Sequence, residues 1–486
     1  MQIVLYSSFF LTFTLFSLDG FVLGASTSVN TRLYSTPLQA VKGQISHKPR
    51  STVPASVVHQ QHINRALRRL SLATGRVPPS DSQFLTKIHE RIAVEASHSC
   101  FHNEKRLNRV GVPGLFKLAT ATSKEETGGI INLVHGTEDD EGGHSTQLQI
   151  ESTDVGYFCD AHIGTPARPF KLLVDTGSSD LWIPDENCHG DDENIPGCGP
   201  HASIGPNSSS TFQNTREVFF IFYVSGYALG NMVTDHVSIA QLTVQNLKFG
   251  AAIRESQSVV SANVPWDGIL GLGQPALSRQ PNTTSFLDVL KNQNQVSKNV
   301  VSFKIPRHLD AHKKNSEGEM TIGGLNPNQY HKNTLVTIKN VNKKGFWEVP
   351  IDGLVVNGVQ LGWVAHGNRT GVLDTGTSLL VVTPSDADAI HALIPGARFD
   401  FGQKQWTIPC TSNTSMTFRF GNRSFTIDPR DLIFDLPINA TTCYSGITAG
   451  KLGLGSKAWL VGDTILKNMY LSLNRETDEI SFAQLK

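Results

Sequence analysis

Residues 173–181, LVDTGSSDL, recur in the second half of the chain as residues 372–380, VLDTGTSLL. In each copy an apolar run ends at an Asp, which is followed by Thr, Gly and a hydroxyl residue. Ile269-Leu270-Gly271 follows the first copy, and Leu460-Val461-Gly462 follows the second at a similar distance along the chain. Two homologous lobes, each carrying one copy, are the simplest explanation of this internal repeat.

Each Asp-Thr-Gly turn has the residues needed to hold a carboxylate. Because Gly lacks a Cβ, the backbone bends tightly after Thr and points its N–H groups at the Asp oxygens. The hydroxyl of Ser178 or Thr377 donates to the same oxygens. A single turn of this kind is equally well an ordinary Asx turn. Two copies with matched flanks favour a functional pair instead.

Two facing lobes would place the Asp175 and Asp374 carboxylates side by side, and these are the candidate catalytic residues. Like charges a few ångströms apart do not both ionise at modest cost, so the pair shares one proton. Such a pair binds a water, with one carboxylate as general base and the other acid polarising a carbonyl. This chemistry needs no metal, cofactor or covalent nucleophile. A glycosidase with two separated carboxylates is a second possibility, against which the duplicated turns argue.

Composition and patterning predict an all-β class. The 486 residues carry 42 Lys+Arg and 42 Asp+Glu, so there is no basic excess of the kind that nucleic-acid binding needs. After about residue 147, short apolar or alternating runs are separated by Gly, Asn and Pro, which is typical of strands and hairpins. Two short segments, 285–294 and 385–396, have helical patterns.

The N-terminal residues predict export. Residues 1–25 are apolar, contain no Lys or Arg and end in small residues, which indicates a secretory signal peptide; a buried N-terminal helix is the alternative. No later apolar run is long enough for a membrane anchor, so a secreted, extracellular or vacuolar protein is expected. Six N-x-S/T sequons agree with export. They lie at Asn207, Asn282, Asn368, Asn413, Asn422 and Asn439.

Residues 26–147 are predicted to be a basic prosegment. Residues 26–137 contain 15 Lys+Arg against six Asp+Glu, whereas residues from 138 onward contain 27 against 35. This asymmetry suggests an electrostatic latch on an acidic body that loosens in acid; a solvated basic tail is the alternative reading. The latch residues would be Lys105, Arg106, Arg109 and Lys117. The segment TEDDEGGHST at 137–146 indicates an exposed, cleavable joint.

From about residue 150 the chain resembles the pepsin-like aspartic proteases, and its second half resembles secreted fungal members. The motifs that carry the resemblance occur in the family's order: YFCDAHIGTP, LLVDTGSSDLWIP, WDGILGLG, TIGGLNP, GVLDTGTSLL and WLVGDTILKNMYLSLN. The resemblance implies a bilobal β protein with an active-site cleft between the lobes, made as a zymogen. Lobes are expected at 148–330, with a flap, and at 331–486. The resemblance also implies a monomeric endopeptidase that works in acid without a cofactor. Its substrates would be polypeptides, cut beside large apolar side chains, and its own prosegment would inhibit it.

The resemblance also assigns site residues. It assigns catalysis to Asp175 and Asp374, hydrogen bonds across the lobe interface to Thr176 and Thr375, backbone N–H donation to Gly177 and Gly376, and hydroxyl donation to Ser178 and Thr377. Residues 221–237 align with the flap hairpin that covers the cleft, which makes Tyr223 the flap tyrosine, with Gly226 beside it and Trp182 as its hydrogen-bonding partner. Val224 departs from the Gly usual in the family, and a β-branched residue stiffens the hairpin.

The six cysteines divide into family pairs and a remainder. The resemblance implies disulfides between Cys188 and Cys198 and between Cys410 and Cys443. Cys100 and Cys159 remain, and Cys159 stands where the family usually has Gly. Our hypothesis is that these two pair and tether the prosegment, whereas two free thiols are the alternative.

An inactive pepsin-fold binding or inhibitor protein is the competing function. Val224 is the best support for that alternative. Both Asp-Thr-Gly copies are intact, however, and a loss of one Asp is what would reveal an inactive relative.

Overall fold

The computed structural model describes residues 143–152, 154–191, 196–223, 226–260, 264–313, 316–364, 368–437, 441–450 and 457–486. The predicted signal peptide and most of the predicted prosegment, with Cys100, lie outside these residues. Val224 and Asn439 also lie outside them.

Strands dominate the described residues, as the composition predicted. The strands of the first half are β1 (His144–Glu151), β2 (Gly156–Ile163), β3 (Arg168–Asp175), β4 (Leu181–Gly190), β5 (Gln213–Tyr223), β6 (Gly226–Ile239), β7 (Leu242–Glu255), β8 (Gly268–Gly271), β9 (Val300–Lys304) and β10 (Gly318–Ile322). The strands of the second half are β11 (Val336–Lys339), β12 (Glu348–Ile351), β13 (Gly353–Val356), β14 (Val359–Gln360), β15 (Arg369–Leu373), β16 (Leu380–Val382), β17 (Arg398–Asp400), β18 (Gln405–Pro409), β19 (Met416–Phe420), β20 (Arg423–Ile427), β21 (Ile433–Pro437), β22 (Thr442–Ser445), β23 (Ile447–Ala449), β24 (Ala458–Val461), β25 (Tyr470–Asn474) and β26 (Glu479–Ala483).

Helices are few and short in the described residues. The α-helices are α1 (Gln257–Val260), α2 (Phe286–Asn292), α3 (Pro384–His391) and α4 (Asp463–Leu466). The 3₁₀ helices span Pro275–Leu277, His308–Asp310, Lys332–Thr334 and Pro429–Leu432. Helix α2 falls within the first segment with a predicted helical pattern, and helix α3 begins one residue before the second. Ser285 caps α2 and Thr383 caps α3, each accepting a backbone N–H from the helix's first turn.

One large sheet links the two halves of the chain. Its 13 strands follow the order β11-β26-β25-β9-β10-β1-β2-β3-β8-β4-β7-β6-β5. Strand β25 of the second half pairs antiparallel with β9 of the first half, so the sheet passes from one lobe to the other. Three smaller sheets, of five, four and four strands, belong to the second half. The bilobal all-β architecture predicted from the sequence is therefore confirmed.

The repeated motif has the same setting in each lobe. Strand β3 delivers Asp175 and pairs in parallel with β8, and strand β15 ends one residue before Asp374 and pairs in parallel with β24. Each of these partner strands carries or adjoins the apolar-apolar-Gly element noted in the sequence. The last four residues of β3 and the last three of β15 are buried. The duplicated sequence is thus a duplicated structural unit.

Both disulfides expected from the resemblance are present. Cys188 and Cys198 are joined across ten positions, and Cys410 and Cys443 across 33. Cys159 is a free thiol on β2 and is fully buried, which raises its pKa to about 12. Because Cys100 lies outside the described residues, the predicted tether between Cys100 and Cys159 stays a prediction.

Candidate active site

The two Asp-Thr-Gly turns hold their carboxylates with the same set of hydrogen bonds. At Asp175, the Gly177 backbone N–H donates to Oδ1 at 2.9 Å and the Ser178 hydroxyl donates to Oδ2 at 2.6 Å. These short contacts are made to a carboxylate, so they orient it firmly.

The second turn repeats this arrangement atom for atom. The Gly376 N–H donates to Asp374 Oδ1 at 2.9 Å, and the Thr377 hydroxyl donates to Oδ2 at 2.6 Å. Asp175 is 0% and Asp374 is 1% exposed, so water screens neither charge effectively.

Two threonines join the turns across the lobe interface. The Thr176 N–H donates to Thr375 Oγ1 at 3.1 Å, and the Thr375 N–H donates to Thr176 Oγ1 at 3.0 Å. Each hydroxyl also donates to a carbonyl of the other lobe, from Thr176 to Leu373 at 3.0 Å and from Thr375 to Val174 at 2.9 Å. These four bonds fix one turn against the other.

Gly177 lies between the two carboxylates. Its N–H binds Asp175, and a Cβ added to it would stand 2.6 Å from Asp374 Oδ1. No side chain fits in that space, so this position requires Gly. The same close approach shows that the first turn lies directly against the second carboxylate, which brings both acids to one place.

The predicted flap is a hairpin of β5 and β6 at one edge of the large sheet. Tyr223, the last residue of β5, is paired with Gly226, the first residue of β6, so a two-residue connection closes the hairpin. Phe219 and Ile221 on its inner face are buried in a cluster with Trp182. Trp182, on β4, is itself fully buried beneath the hairpin.

Two further side chains at this place were not singled out from the sequence. Trp266 belongs to the same apolar cluster, and its indole N–H donates to Glu151 Oε2 at 2.9 Å. This bond ties the end of β1 to the segment before β8. The motif WDGILGLG contained Trp266, but no sequence pattern linked it with Glu151 because 115 positions separate them.

A third carboxylate supports the first turn from behind. Asp180 accepts the Ser278 hydroxyl at 2.5 Å and the Arg279 N–H at 2.8 Å. Burial raises its pKa, which these hydrogen bonds oppose. The contacts hold the segment after β8 against the residues that follow Asp175.

The described residues offer the acids no metal-ligating neighbours of the usual kind. Among the described residues, one group of three side chains has potential ligand atoms within 4.8 Å of one another, and it consists of Cys188, Cys198 and Glu255. Its two sulfurs form a disulfide and are therefore not thiolates. What the site does contain is two buried carboxylates, each oriented by two hydrogen bonds.

The comparisons with known proteins agree with this geometry. Residues 156–485 match the eukaryotic aspartyl protease family. The probable aspartic-type endopeptidase CTSD of Arthroderma benhamiae is 32% identical over 336 residues, which cover 68% of this chain and 62% of the relative. The aspartic-type endopeptidase ctsD of Aspergillus fumigatus is 31% identical over 340 residues, 70% of this chain and 68% of the relative. Cathepsin D of Gallus gallus is 29% identical over 337 residues, 68% of this chain and 81% of the relative.

The chain spans 62% of the length of the first of these relatives, so part of that protein has no counterpart in the match. The region that matches the family contains both Asp-Thr-Gly turns, the β5–β6 hairpin and both disulfides. The chain therefore belongs to the eukaryotic aspartyl protease family.

Proposed function

We propose that this protein is an aspartic endopeptidase that hydrolyses peptide bonds at acidic pH through a water held between Asp175 and Asp374. The observation that carries the proposal is the position of Gly177, whose N–H binds one carboxylate while its Cα lies against the other. Two acids this close share one proton, because ionising both is costly in a buried site. Four donors, two for each acid, keep the pair oriented.

The reaction follows from that shared proton. The ionised carboxylate takes a proton from the water, whose oxygen forms a bond to the scissile carbonyl carbon. The protonated carboxyl donates to the carbonyl oxygen and stabilises the charge that develops there. The carbon–nitrogen bond then breaks, and a carboxyl returns a proton to the leaving amine. The products are a new carboxyl terminus and a new amino terminus.

The apolar cluster beneath the hairpin supports a preference for large apolar side chains next to the cut. Phe158, Trp182, Phe219 and Trp266 are members of this cluster. These members are buried and support the hairpin from beneath. A substrate side chain enclosed under the hairpin gains by leaving water, by about 25 cal/mol for each Å² of apolar surface buried. Extended peptides that carry Phe or Leu beside the scissile bond are therefore the expected substrates.

The basic N-terminal segment is proposed as an intramolecular inhibitor that acid releases. Its Lys105, Arg106, Arg109 and Lys117 would lie on the acidic cleft near neutral pH and lose their partners when carboxylates protonate. Strand β1 starts at His144 and pairs with β2 and β10, so a cut at 147/148 would divide it. We place the processing site upstream of β1, within 137–143.

We propose that the protein is exported to an extracellular or vacuolar location. Five of the six sequon asparagines lie in the described residues, and all five side chains are exposed, as N-glycosylation requires. The two disulfides also suit an oxidising compartment. Among the described residues, no helix has the length and apolarity needed to cross a bilayer.

Digestion of casein at about pH 3–4 by acid-treated protein, with and without pepstatin, tests the proposal. The variants are Asp175→Asn and Asp374→Asn, with Asp160→Asn, an exposed Asp on β2, as the matched control. We expect the first two to lose activity by several orders of magnitude and the control to match the unmodified protein.

Two results would contradict the proposal. Full activity in either Asn variant would show that the acids do not act as a pair. Folded, processed protein that binds pepstatin or peptides without cleaving any would favour the inactive binding protein.

A further inference from the structure

We infer that Trp347 is a positioning residue that sets the separation of the Asp175 and Asp374 carboxylates by bonding to both halves of the site. This inference rests on the proposed function, because separation matters only if the two acids share a proton. Trp347 lies just before β12 and is 0% exposed. Its indole N–H and its carbonyl each bond to backbone close to one of the acids, and it is inferred to act through that backbone.

On the first-lobe side, the indole of Trp347 reaches across the lobe interface. Its Nε1–H donates to the Leu272 carbonyl at 3.0 Å. The Leu272 N–H in turn donates to the Asp175 carbonyl at 2.7 Å, and the next N–H, of Gly273, donates to the Ser178 carbonyl at 2.6 Å. One peptide segment thus connects the indole to both ends of the first turn.

On the second-lobe side, the contact is made by the backbone of the same residue. The Leu373 N–H donates to the Trp347 carbonyl at 2.8 Å, and Leu373 directly precedes Asp374. The strand that delivers the second acid is therefore bonded to Trp347 as well. A single residue completes a path of three hydrogen bonds from the backbone of Asp175 to the residue before Asp374.

A neighbouring contact keeps this path rigid. The Gln274 N–H donates to the Gly345 carbonyl at 3.0 Å, so segments 272–274 and 345–347 are joined twice. Gly345 has φ +105, and a Cβ there would stand 2.8 Å from Leu277 Cγ, so the close approach depends on Gly. Arg475 also donates to the Gly273 carbonyl.

The path differs from the threonine bonds in what it controls. Thr176 and Thr375 hold the centres of the turns together, whereas Trp347 joins the flanking strand of one lobe to the loop behind the other turn. A pair fastened only at its centre can still pivot. Fixing a second point removes that freedom, and misplacement of reacting groups by about 1 Å costs on the order of 100-fold in rate.

The test compares Trp347→Phe with Trp459→Phe in the full acid-processed protein. Trp459 is the matched control, because it is also 0% exposed and its indole N–H donates to Asp386 at 2.8 Å, yet its side chain has no hydrogen bond to either turn. Both variants lose one ring and one buried hydrogen bond. The readouts are kcat, KM and the pH profile of kcat/KM, with the unfolding midpoint recorded for each.

We expect Trp347→Phe to lower kcat by about ten-fold or more while KM changes by less than about three-fold, since the proposed defect is in geometry. Acids that lie further apart repel each other less, so the acid and alkaline limbs of the pH profile should move toward each other. Trp459→Phe should be less stable than the unmodified protein, but the acid and alkaline limbs of its pH profile should not move. Equal changes in both variants, or an unchanged Trp347→Phe, would overturn the inference.

A second replacement at position 347 tests the inference if Trp347→Phe does not fold. Substituting 3-benzothienylalanine at 347 keeps the shape of the ring and removes only the N–H, and the same narrowing of the profile is expected. An unchanged profile in that protein refutes the inference as well. Inactive unmodified protein, or an active Asp374→Asn variant, would instead refute the proposed function, so the two failures are distinguishable.

Discussion

Thr176 and Thr375 bond to each other reciprocally, each accepting the other's backbone N–H on its own hydroxyl, at 3.0 and 3.1 Å. Each hydroxyl also donates to a carbonyl of the opposite lobe. Neither contact is exposed, because Thr176 is 0% and Thr375 is 2% exposed. Replacing one Thr by Val keeps the shape of the side chain and leaves two buried backbone groups without partners.

We expect Thr176→Val and Thr375→Val to lower the free energy of unfolding by similar amounts, about 2–4 kcal/mol each, since each removes two buried hydrogen bonds. The double variant should lose less than the sum, because the two hydroxyls belong to one network. Urea unfolding at pH 5 measures this, with the exposed Thr426→Val as control. If the loss of unfolding free energy in the double variant equalled the sum of the two single losses, the hydroxyls of Thr176 and Thr375 would act independently.

The duplicated turns could be predicted from the sequence because their contacts are local. Gly177 and Ser178 lie two and three positions from Asp175, so the identity of the residues is enough to predict the donors. The link from Trp347 to Leu272 spans 75 positions and uses a backbone acceptor that every residue has. No residue type marks such a contact, and only the assembled fold reveals it.

Buried titratable groups were also beyond sequence reasoning. Glu255 and His391 are 0% and 1% exposed, although Glu and His are usually found at or near the surface. Their burial results from the position of β7 beside the first disulfide and of α3 against β22. Both groups make the stability of the protein depend on pH, in opposite directions.

Adjacent phenylalanines on β5 provide a test of the flap's two faces. Phe219 points into the cluster under the hairpin and is 2% exposed, whereas Phe220 points outward and is 46% exposed. We expect Phe219→Ala to cost about 3–5 kcal/mol of unfolding free energy. Phe220→Ala should cost less than about 1 kcal/mol, because its ring is already half in water. Thermal unfolding of the two variants makes the comparison, and equal losses would show that the hairpin has no inner face.

His391 should make the second lobe less stable in acid. Its Nδ1–H donates to the Ala387 carbonyl at 2.8 Å, and its Nε2 lies 2.9 Å from the Ser445 hydroxyl oxygen. Burial disfavours the charged ring and outweighs the Ala387 hydrogen bond, which favours it. The ring stacks on Trp406 with centroids 4.2 Å apart, and burial lowers its pKa to about 4. The stabilisation is full above the unfolded value of about 6.5 and decreases as the pH falls toward 4.

We expect this loss to reach at most about 3 kcal/mol between pH 6.5 and 4, at 1.36 kcal/mol per unit of pKa shift. His391→Asn should be less stable than the unmodified protein at pH 6.5 and should lose less on acidification. Unfolding midpoints at the two pH values, with the exposed His162→Asn as control, measure the difference. Parallel pH dependence in His391→Asn and the unmodified protein would rule out this role for His391.

Glu255 should have the opposite effect and destabilise the first lobe near neutral pH. Neither of its carboxylate oxygens has a hydrogen-bond partner among the described residues, and both sulfurs of the Cys188–Cys198 disulfide lie within 4.8 Å of it. Burial, with a smaller effect of the Asp267 charge, raises its pKa well above 4.5. The folded protein therefore holds this carboxyl protonated in acid, and stability is lost as the pH rises through its folded pKa.

Glu255→Gln has nearly the same shape and does not ionise, so we expect it to unfold at a higher temperature than the unmodified protein at pH 7. At pH 4 the two proteins should differ little, because the unmodified carboxyl is then neutral too. Thermal unfolding at both pH values measures this, with the exposed Glu317→Gln as the control. If Glu255→Gln were destabilised equally at both pH values, the carboxylate oxygens of Glu255 would matter for packing. The ionisation of Glu255 would then not lower the stability of the protein near neutral pH.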